Sequence, residues 1–260
     1  MQTTSADGSI ILETEEKQKF SQFLRLITGR RNIQDDIRHK QNSFFVCLTF
    51  PRLEPSVAKR IKAAVVGSDA AELRVDLLQD PDSAKEGIPS INFIIRECAF
   101  LRTVIHVPLI FTLRTKSQGG KFPDNAIDEA LLLYRNAIRL GFEYIDVEVA
   151  WPEKLRTSVS ESKGFSRIIA SHHEPSGLSW RDNSWIPYFN TALQFGDIIK
   201  LCGFAHTMQD NDDLETFRRW AIAANSTPLI ALNMGPIGKL SRVRNPFMTC
   251  LLYTSPSPRD

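Results

Sequence analysis

The sequence predicts a (β/α)8 TIM barrel, and three observations lead to that α/β fold class. Short β-rich runs alternate with helical segments, which is the pattern of a parallel sheet. The runs are almost continuously apolar, as expected for strands that are covered on both faces. No GxGxxG or GKS/T loop follows any of them, so a closed barrel explains the pattern better than an open nucleotide-binding sheet.

Seven such runs lie along the chain, and their starts are about 23–38 residues apart, the size of one βα unit. They are Phe44–Phe50, Ala70–Leu78, Pro108–Thr115, Tyr144–Val149, Arg167–His173, Asp197–Phe204 and Pro228–Met234. The segments between them have helical periodicity. Asp124–Gly141, for example, places apolar residues at helical spacing among charges and ends at a glycine.

Both ends of the chain depart from this pattern. Thr14–Gly29 has the apolar spacing of an amphipathic helix and a charged stretch follows it, so residues 1–42 are predicted to be the end of a preceding domain plus a linker. Residues 250–260 have no periodicity and begin where the eighth strand and helix are due. We therefore expect a barrel over residues 43–249, truncated at its eighth βα unit, and a non-native or artefactual tail at 250–260.

The composition is that of a globular chain able to bury a sizeable core, with 260 residues of which 42% are hydrophobic. A formal net charge of +2 gives no reason to expect nucleic acid or an anionic membrane as a partner. The four cysteines lack metal-ligand spacing, which favours a reducing compartment. With no leader-like start and no run near the roughly 18 apolar residues that a membrane span requires, we expect a cytoplasmic protein.

Polar groups within the apolar runs indicate a candidate site. Lys200 lies in one such run, where burial favours the neutral amine that can form a Schiff base with a carbonyl substrate. His173 ends the preceding run, and strand ends meet at the mouth of a barrel, so the two residues can converge with His173 carrying protons. Alone, each has a simpler explanation, a lysine that snorkels to the rim and a structural histidine. Together they favour a site, whereas His172 should point away from it.

A second polar set is formed by Glu72, Arg74 and Asp76, whose spacing of two puts them on one face of a strand. There they must pair with each other or meet a ligand. Arg74 and Arg114 could bind an anionic or hydroxyl-rich substrate. Residues 114–123 carry two glycines after the third run, which is typical of a flexible cover over the barrel mouth.

Three further residues leave alternatives open. Asp146 and Glu148 could orient the candidate histidine or lysine, or they could balance the two arginines. Arg242, in the loop after the seventh run, could bind a carboxylate or phosphate or be an ordinary surface arginine.

Taken together, these motifs resemble type I 3-dehydroquinate dehydratase. The matching motifs are Glu72-Leu-Arg-Val-Asp76, Phe111-Thr-Leu-Arg-Thr115, Asp146-Val-Glu148, Ser171-His-His173, Lys200 and Ser241-Arg242. Longer segments of the sequence, including Cys47-Leu-Thr-Phe-Pro51 and Ser117-Gln-Gly-Gly-Lys-Phe-Pro123, are similar to that domain of the fungal pentafunctional AROM polypeptide. The resemblance spans roughly residues 43–249, and in that polypeptide a shikimate kinase domain comes first.

The resemblance implies a dehydration of 3-dehydroquinate to 3-dehydroshikimate, in aromatic amino-acid biosynthesis, that uses no metal or other cofactor. Lys200 would form the imine and His173 would act as general acid and base. Arg242 would hold the substrate carboxylate, while Glu72, Arg74 and Arg114 would line the side of the ring hydroxyls. Supporting positions would be Asp76, Asp146, Glu148 and Gln118, where bacterial members often carry a glutamate in place of Gln118.

The same resemblance implies flanking kinase and dehydrogenase domains in the parent polypeptide and a possible homodimer. It also implies a closing loop and a final helix beyond the eighth strand, so we expect low stability and weak activity from a truncated barrel. Two other functions remain as alternatives. A quinate-pathway repressor shares these domains but acts as a regulator, and a class I aldolase also uses a barrel lysine.

Overall fold

A computed structural model describes residues 3–4, 10–11, 37 and 40–252 of the chain. By its contacts the chain divides into two units, residues 1–39 and residues 40–260. In the first unit Thr3–Thr4 pairs antiparallel with Ile10–Ile11. The helix predicted at Thr14–Gly29 lies outside the described residues.

The second unit is built on eight parallel strands, which confirms the predicted fold class. Seven of them fall within the seven predicted runs, and an eighth follows. The strands are β1 (Phe44–Leu48), β2 (Ala70–Arg74), β3 (Leu109–Thr112), β4 (Tyr144–Glu148), β5 (Arg167–His173), β6 (Ile198–Phe204), β7 (Leu229–Met234) and β8 (Thr249–Leu252). Each pairs with its neighbours in chain order, and β8 returns to pair with β1.

A helix follows each of the first seven strands, as the alternating pattern predicts. The helices are α1 (Ala58–Ala64), α2 (Ile91–Val104), α3 (Ile127–Arg139), α4 (Glu153–Ser162), α5 (Ile186–Leu193), α6 (Gln209–Ala224) and α7 (Lys239–Arg244). Local chemistry fixes several ends. Ser90 caps α2 by accepting the N–H of Phe93 at 3.3 Å, and Gly141, at φ 74°, takes the left-handed conformation that often ends a helix such as α3.

The barrel is nearly closed, and its seam lies between β7 and β8. Within residues 40–252 these two strands share no ladder of backbone hydrogen bonds. A side chain bridges the gap instead: Arg242 donates to the carbonyl of Asn233 on β7 at 2.9 Å and to that of Cys250 on β8 at 3.2 Å. The eighth strand, Thr249–Leu252, spans the boundary predicted at 249/250.

The apolar core lies between the strands and the surrounding helices. Phe111 on β3, for example, makes edge contacts with Tyr134 of α3 and with Phe142, at ring-centroid distances of 6.2 and 5.2 Å. Alternate strand residues face the barrel interior, and these include the predicted charged groups. Along β2, Leu73 joins the outer core while Glu72 faces a cavity inside the barrel. Apolar packing therefore stabilises the fold and leaves the interior for polar chemistry.

Of the helices in the described part of the chain, none has the length and apolar character needed to cross a bilayer.

Candidate active site

A cavity of about 160 Å³ opens at the mouth of the barrel, and most of the predicted site residues line it. They come from several strands and the loops that follow them, as the barrel architecture requires. Among the lining residues are Glu72, Arg74, Arg114, Gln118, His173, Lys200 and Arg242. The tertiary structure thus brings together residues that are up to 170 positions apart in the sequence.

Lys200 is 2% exposed and lies on β6 between two carboxylates. Its Nζ donates to Glu72 Oε1 at 3.0 Å and to Asp146 Oδ2 at 3.1 Å, and it lies 5.3 Å from the centre of the Phe45 ring. Burial alone would lower the pKa of Lys200, but Glu72 and Asp146 outweigh burial and raise that pKa above its ordinary value. The neutral amine expected from the sequence is therefore wrong for the free protein, since the expectation took no account of the carboxylates.

Glu72 is held in its charged form by the same contacts. Burial would raise the pKa of Glu72, but the charges of Lys200, Arg74 and Arg114 reverse this and keep it well below its usual range. Thr112 on the neighbouring strand β3 also donates to Glu72 Oε1 at 2.9 Å. The Lys200 ammonium and the Glu72 carboxylate therefore form a charged pair that persists through the neutral pH range.

Arg114 donates hydrogen bonds to several acceptors inside the barrel. Its Nη2 donates to Asp146 Oδ1 at 3.0 Å, and its Nη1 donates to Glu148 Oε1 at 2.7 Å and to Ser171 Oγ at 3.1 Å. Asp146 therefore bridges Arg114 and Lys200, so it both orients the lysine and balances an arginine. Of the two roles left open for Glu148, the contacts favour the balancing one, because Glu148 bonds Arg114 and the backbone and hydroxyl of Thr115.

Replacing Glu148 with alanine is expected to cost about 3 kcal/mol of unfolding free energy or more, because it leaves a buried Arg114 with one carboxylate and Thr115 with unpaired donors. Urea unfolding at pH 7 measures this loss. Glu129→Ala is the matched control, since Glu129 pairs with Lys85 on the surface and its removal should leave the urea midpoint almost unchanged. Equal midpoints for the two variants would contradict the assignment.

His173 lies at the end of β5, two residues beyond Ser171, which is paired with Lys200 on β6. Its ring Nδ1 is buried without a hydrogen-bond partner among the described residues. Burial and then the positive charges of Arg114 and Lys200 hold the pKa of His173 well below its usual range. The imidazole is therefore neutral and able to accept a proton at neutral pH.

Gln118 supports His173 through the main chain rather than through the ring. Its side-chain Oε1 accepts the backbone N–H of His173 at 2.8 Å, while its Nε2 is buried and unpartnered in the described part of the chain. The loop that carries it turns at Gly119, with φ 82°, and then at Gly120, where any Cβ would lie 2.0 Å from the carbonyl oxygen of Arg114. The two glycines predicted to give a flexible cover are therefore required by the turn and by close packing.

His172 points to the opposite side of β5, as its position in the strand predicts. Its ring stacks on Tyr188 of α5 at a centroid distance of 3.7 Å and meets the edge of Trp185. It belongs to the helix layer, outside the cavity.

The Glu72 to Asp76 set divides between two environments. Arg74 donates two hydrogen bonds to Asp76, of 2.8 and 2.7 Å, and Asp76 also accepts the backbone N–H of Lys121. Asp76 lies in a short turn of 3-10 helix, residues 75–77, because β2 ends at Arg74. Arg74 lines the cavity together with Glu72. Of the three residues predicted to share one strand face, only Arg74 and Asp76 form an internal salt bridge with each other.

Several lining residues were not singled out from the sequence. Cys47, Cys202, Leu232 and Met234 form much of the remaining wall. Burial raises the pKa of the Cys47 and Cys202 thiols, so both stay protonated. Strand parity was the signal that could have found Cys202, which lies two residues beyond Lys200 and so faces the same side.

Comparison with known proteins gives a consistent result. Residues 44–258 match the family model described as type I 3-dehydroquinase. A solved chain comprising the dehydroquinate dehydratase and shikimate dehydrogenase of S. pombe AroM is 38% identical, with a TM-score of 0.82, and the match covers 86% of this chain and 42% of that one.

More distant bacterial structures share the fold. The type I 3-dehydroquinate dehydratase of Clostridium difficile is 19% identical with a TM-score of 0.72, and the match covers 83% of this chain and 85% of that one. The 3-dehydroquinate dehydratase of Geobacillus kaustophilus is also 19% identical, with a TM-score of 0.70 and coverage of 83% and 84%. At this identity the two bacterial structures support the fold alone.

Proposed function

The chain belongs to the type I 3-dehydroquinase family, and on this premise we propose that it removes water from 3-dehydroquinate through an imine on Lys200. The observation that carries the proposal is the joint placement of Glu72, His173 and Lys200 around one cavity, with the buried lysine held between the carboxylates of Glu72 and Asp146. A lysine forms an imine with a ketone. In the later steps the carboxylates would stabilise positive charge and the histidine would transfer protons.

The two carboxylates stabilise the cation that the reaction creates. The Lys200 ammonium would first give a proton to His173, and the free amine would attack the ring ketone to form a carbinolamine. His173 would return that proton to the carbinolamine hydroxyl, which leaves as water and gives a protonated imine. That iminium carries the same single positive charge, at the same place, as the original ammonium. Glu72 and Asp146 therefore stabilise it without rearrangement, and the iminium withdraws electrons from the neighbouring C–H bond.

His173 would move the protons of the elimination. As a neutral base it takes the proton from the carbon next to the imine, and the electron pair of that C–H bond forms an enamine. The enamine then expels the hydroxyl, whose C–O bond breaks with the electron pair on oxygen, and His173 returns the proton so that water leaves. Hydrolysis of the imine restores Lys200 and releases 3-dehydroshikimate.

Arg242 would fix the substrate by its carboxylate, since Arg242 lines the same cavity as Lys200 and His173. Arg74 and Glu72, which line the cavity, would contact the ring hydroxyls. Arg114, which donates to Asp146, Glu148 and Ser171, would also hold the carboxylates in place.

The direct test is to incubate the protein with 3-dehydroquinate and borohydride, which reduces an imine to a stable amine, and to locate the adduct by peptide mass spectrometry. Without borohydride, formation of the enone is followed by its absorbance. An adduct on Lys200 together with enone formation supports the proposal. A folded protein that gives neither result overturns it, and carbon–carbon cleavage in place of water loss would indicate an aldolase.

Replacing Arg242 with methionine is expected to lower kcat/KM about 10- to 100-fold, chiefly through KM, because a charge-assisted hydrogen bond to the substrate is lost. Steady-state kinetics measure the effect, and a thermal melt monitors the seam that Arg242 also bridges. Arg244→Met on the same helix is the control, since Arg244 pairs with Asp212 instead. Equal kinetics for the two variants would exclude the carboxylate role.

The chain covers 42% of the S. pombe chain, which also includes a shikimate dehydrogenase. We propose that this barrel likewise works beside other enzymes of the same pathway within one polypeptide. A homodimer remains a prediction from the resemblance.

A further inference from the structure

The loop between β5 and α5, which begins just after His173, is tied to β7 by one buried hydrogen bond. Trp180 in this loop is 6% exposed, and its indole Nε1 donates to the side-chain Oδ1 of Asn233 at 2.8 Å. The bond passes beside Gly203 on β6, where an added Cβ would lie 2.9 Å from the indole ring and 3.0 Å from Asn233 Oδ1. Gly203 therefore provides the space that lets Trp180 reach across β6.

Asn233 is fully buried, and its main chain holds the segment that carries Arg242. Its N–H donates to Ser241 Oγ at 2.8 Å, and its carbonyl oxygen accepts from Arg242 Nη1 at 2.9 Å. The side-chain amide of Asn233 also donates to the carbonyl of Asp210 at 3.1 Å. One residue thus connects the tryptophan on one side with the arginine on the other.

We propose that Trp180 is a positioning residue for Arg242 and acts through Asn233. The loop after the proton-transferring histidine and the helix that carries the carboxylate-binding arginine are then held in one fixed arrangement. This inference rests on the proposed function, because it takes Arg242 as the carboxylate-binding group. Loss of the indole N–H removes the donor to Asn233 Oδ1, lets the main chain of Asn233 shift, and displaces the Arg242 guanidinium from the substrate carboxylate.

Trp180→Phe removes the N–H and keeps an aromatic ring to stack on Trp185, which it now contacts at a centroid distance of 4.0 Å. We expect KM for 3-dehydroquinate to rise about tenfold, because small displacements of a positioning group cost that much or more, while kcat and borohydride trapping on Lys200 stay close to wild type. Trp185→Phe is the matched control. Its indole donates to the carbonyl of Leu178 within the same loop and not to β7, so its KM should not change.

Gly203→Ala tests the same bond from the other side and keeps the inference testable if Trp180→Phe fails to fold. The added methyl group must displace Trp180 or Asn233, so KM should again rise. A double-mutant cycle then asks whether the effect passes through the arginine. In an Arg242→Met background, Trp180→Phe should lower kcat/KM by less than about twofold.

Two outcomes would overturn the inference while leaving the proposed function intact: equal KM for Trp180→Phe and Trp185→Phe, or an undiminished Trp180→Phe effect in the Arg242→Met background. If Trp180 had only a structural role, Trp180→Phe would lower the melting temperature, and its effect on kcat/KM would be the same with or without Arg242. A wild-type protein that neither traps nor turns over 3-dehydroquinate would overturn the proposed function, and this inference with it.

Discussion

Replacing Lys200 with methionine is expected to reduce turnover of 3-dehydroquinate by about four orders of magnitude or more, because no other group among the described lining residues can form the imine. The substitution also removes the cation between two buried carboxylates. Asp146 keeps Arg114 as a partner, whereas Glu72 loses its ion-pair partner and keeps the hydrogen bond from Thr112. We therefore expect a loss of roughly 3 kcal/mol in unfolding free energy as well.

Enone absorbance measures the loss of turnover, and borohydride trapping should yield no adduct. Lys163→Met is the control, since Lys163 also pairs with a carboxylate, that of Asp197 just before β6, but does not line the cavity. It should keep wild-type turnover and the adduct. Trapping in a folded Lys200→Met protein would falsify the assignment of the imine to this residue.

Replacing His173 with alanine is expected to lower kcat by about 10²- to 10⁴-fold, the usual contribution of a general acid–base group. The Lys200 adduct should still form with borohydride, because imine formation requires the Lys200 amine and depends less on His173. Imine that accumulates without enone would therefore identify His173 as the group that moves the protons. His172→Ala is the control: it removes the neighbouring ring from its stack on Tyr188, so the melting temperature should fall while kcat stays within a few-fold of wild type.

The pH dependence of the wild-type protein follows from the charges around His173. As pH falls, the imidazole takes up a proton and can no longer act as a base. Because burial, Arg114 and Lys200 lower the pKa of His173, this loss should occur well below pH 6.5, the ordinary histidine value. A kcat/KM profile whose acid limb falls at or above pH 6.5 would contradict the environment described for His173.

The local patterns in the sequence were sufficient for most of the fold. Apolar runs spaced by one βα unit place seven strands correctly, and the helix expected within Asp124–Gly141 forms at Ile127–Arg139. The eighth strand was missed because residues 249–252 form too short a run to show a strand pattern, and their position is set by pairing with β1, more than 200 residues away. Strand pairing over such a distance leaves no local signal.

The site was only partly predictable. Parity along each strand indicated that Lys200, His173 and Glu72 face the interior, and the structure places them around one cavity. The alternation of side chains along a strand could not predict which charged groups pair with each other. The sequence suggested that Arg114 contacts substrate; in the fold Arg114 lines the cavity and also donates to Asp146, Glu148 and Ser171, so direct contact remains a prediction.

By itself, therefore, the sequence determined the barrel and which polar residues turn inward, because periodicity and parity are properties of neighbouring residues. Only the tertiary structure decided how those residues are charged. Lys200 meets Glu72 across 128 positions and Asp146 across 54, and these contacts raise the pKa of Lys200 where burial alone would lower it. Electrostatic interactions depend on distances in space, and those distances exist only once the barrel has folded.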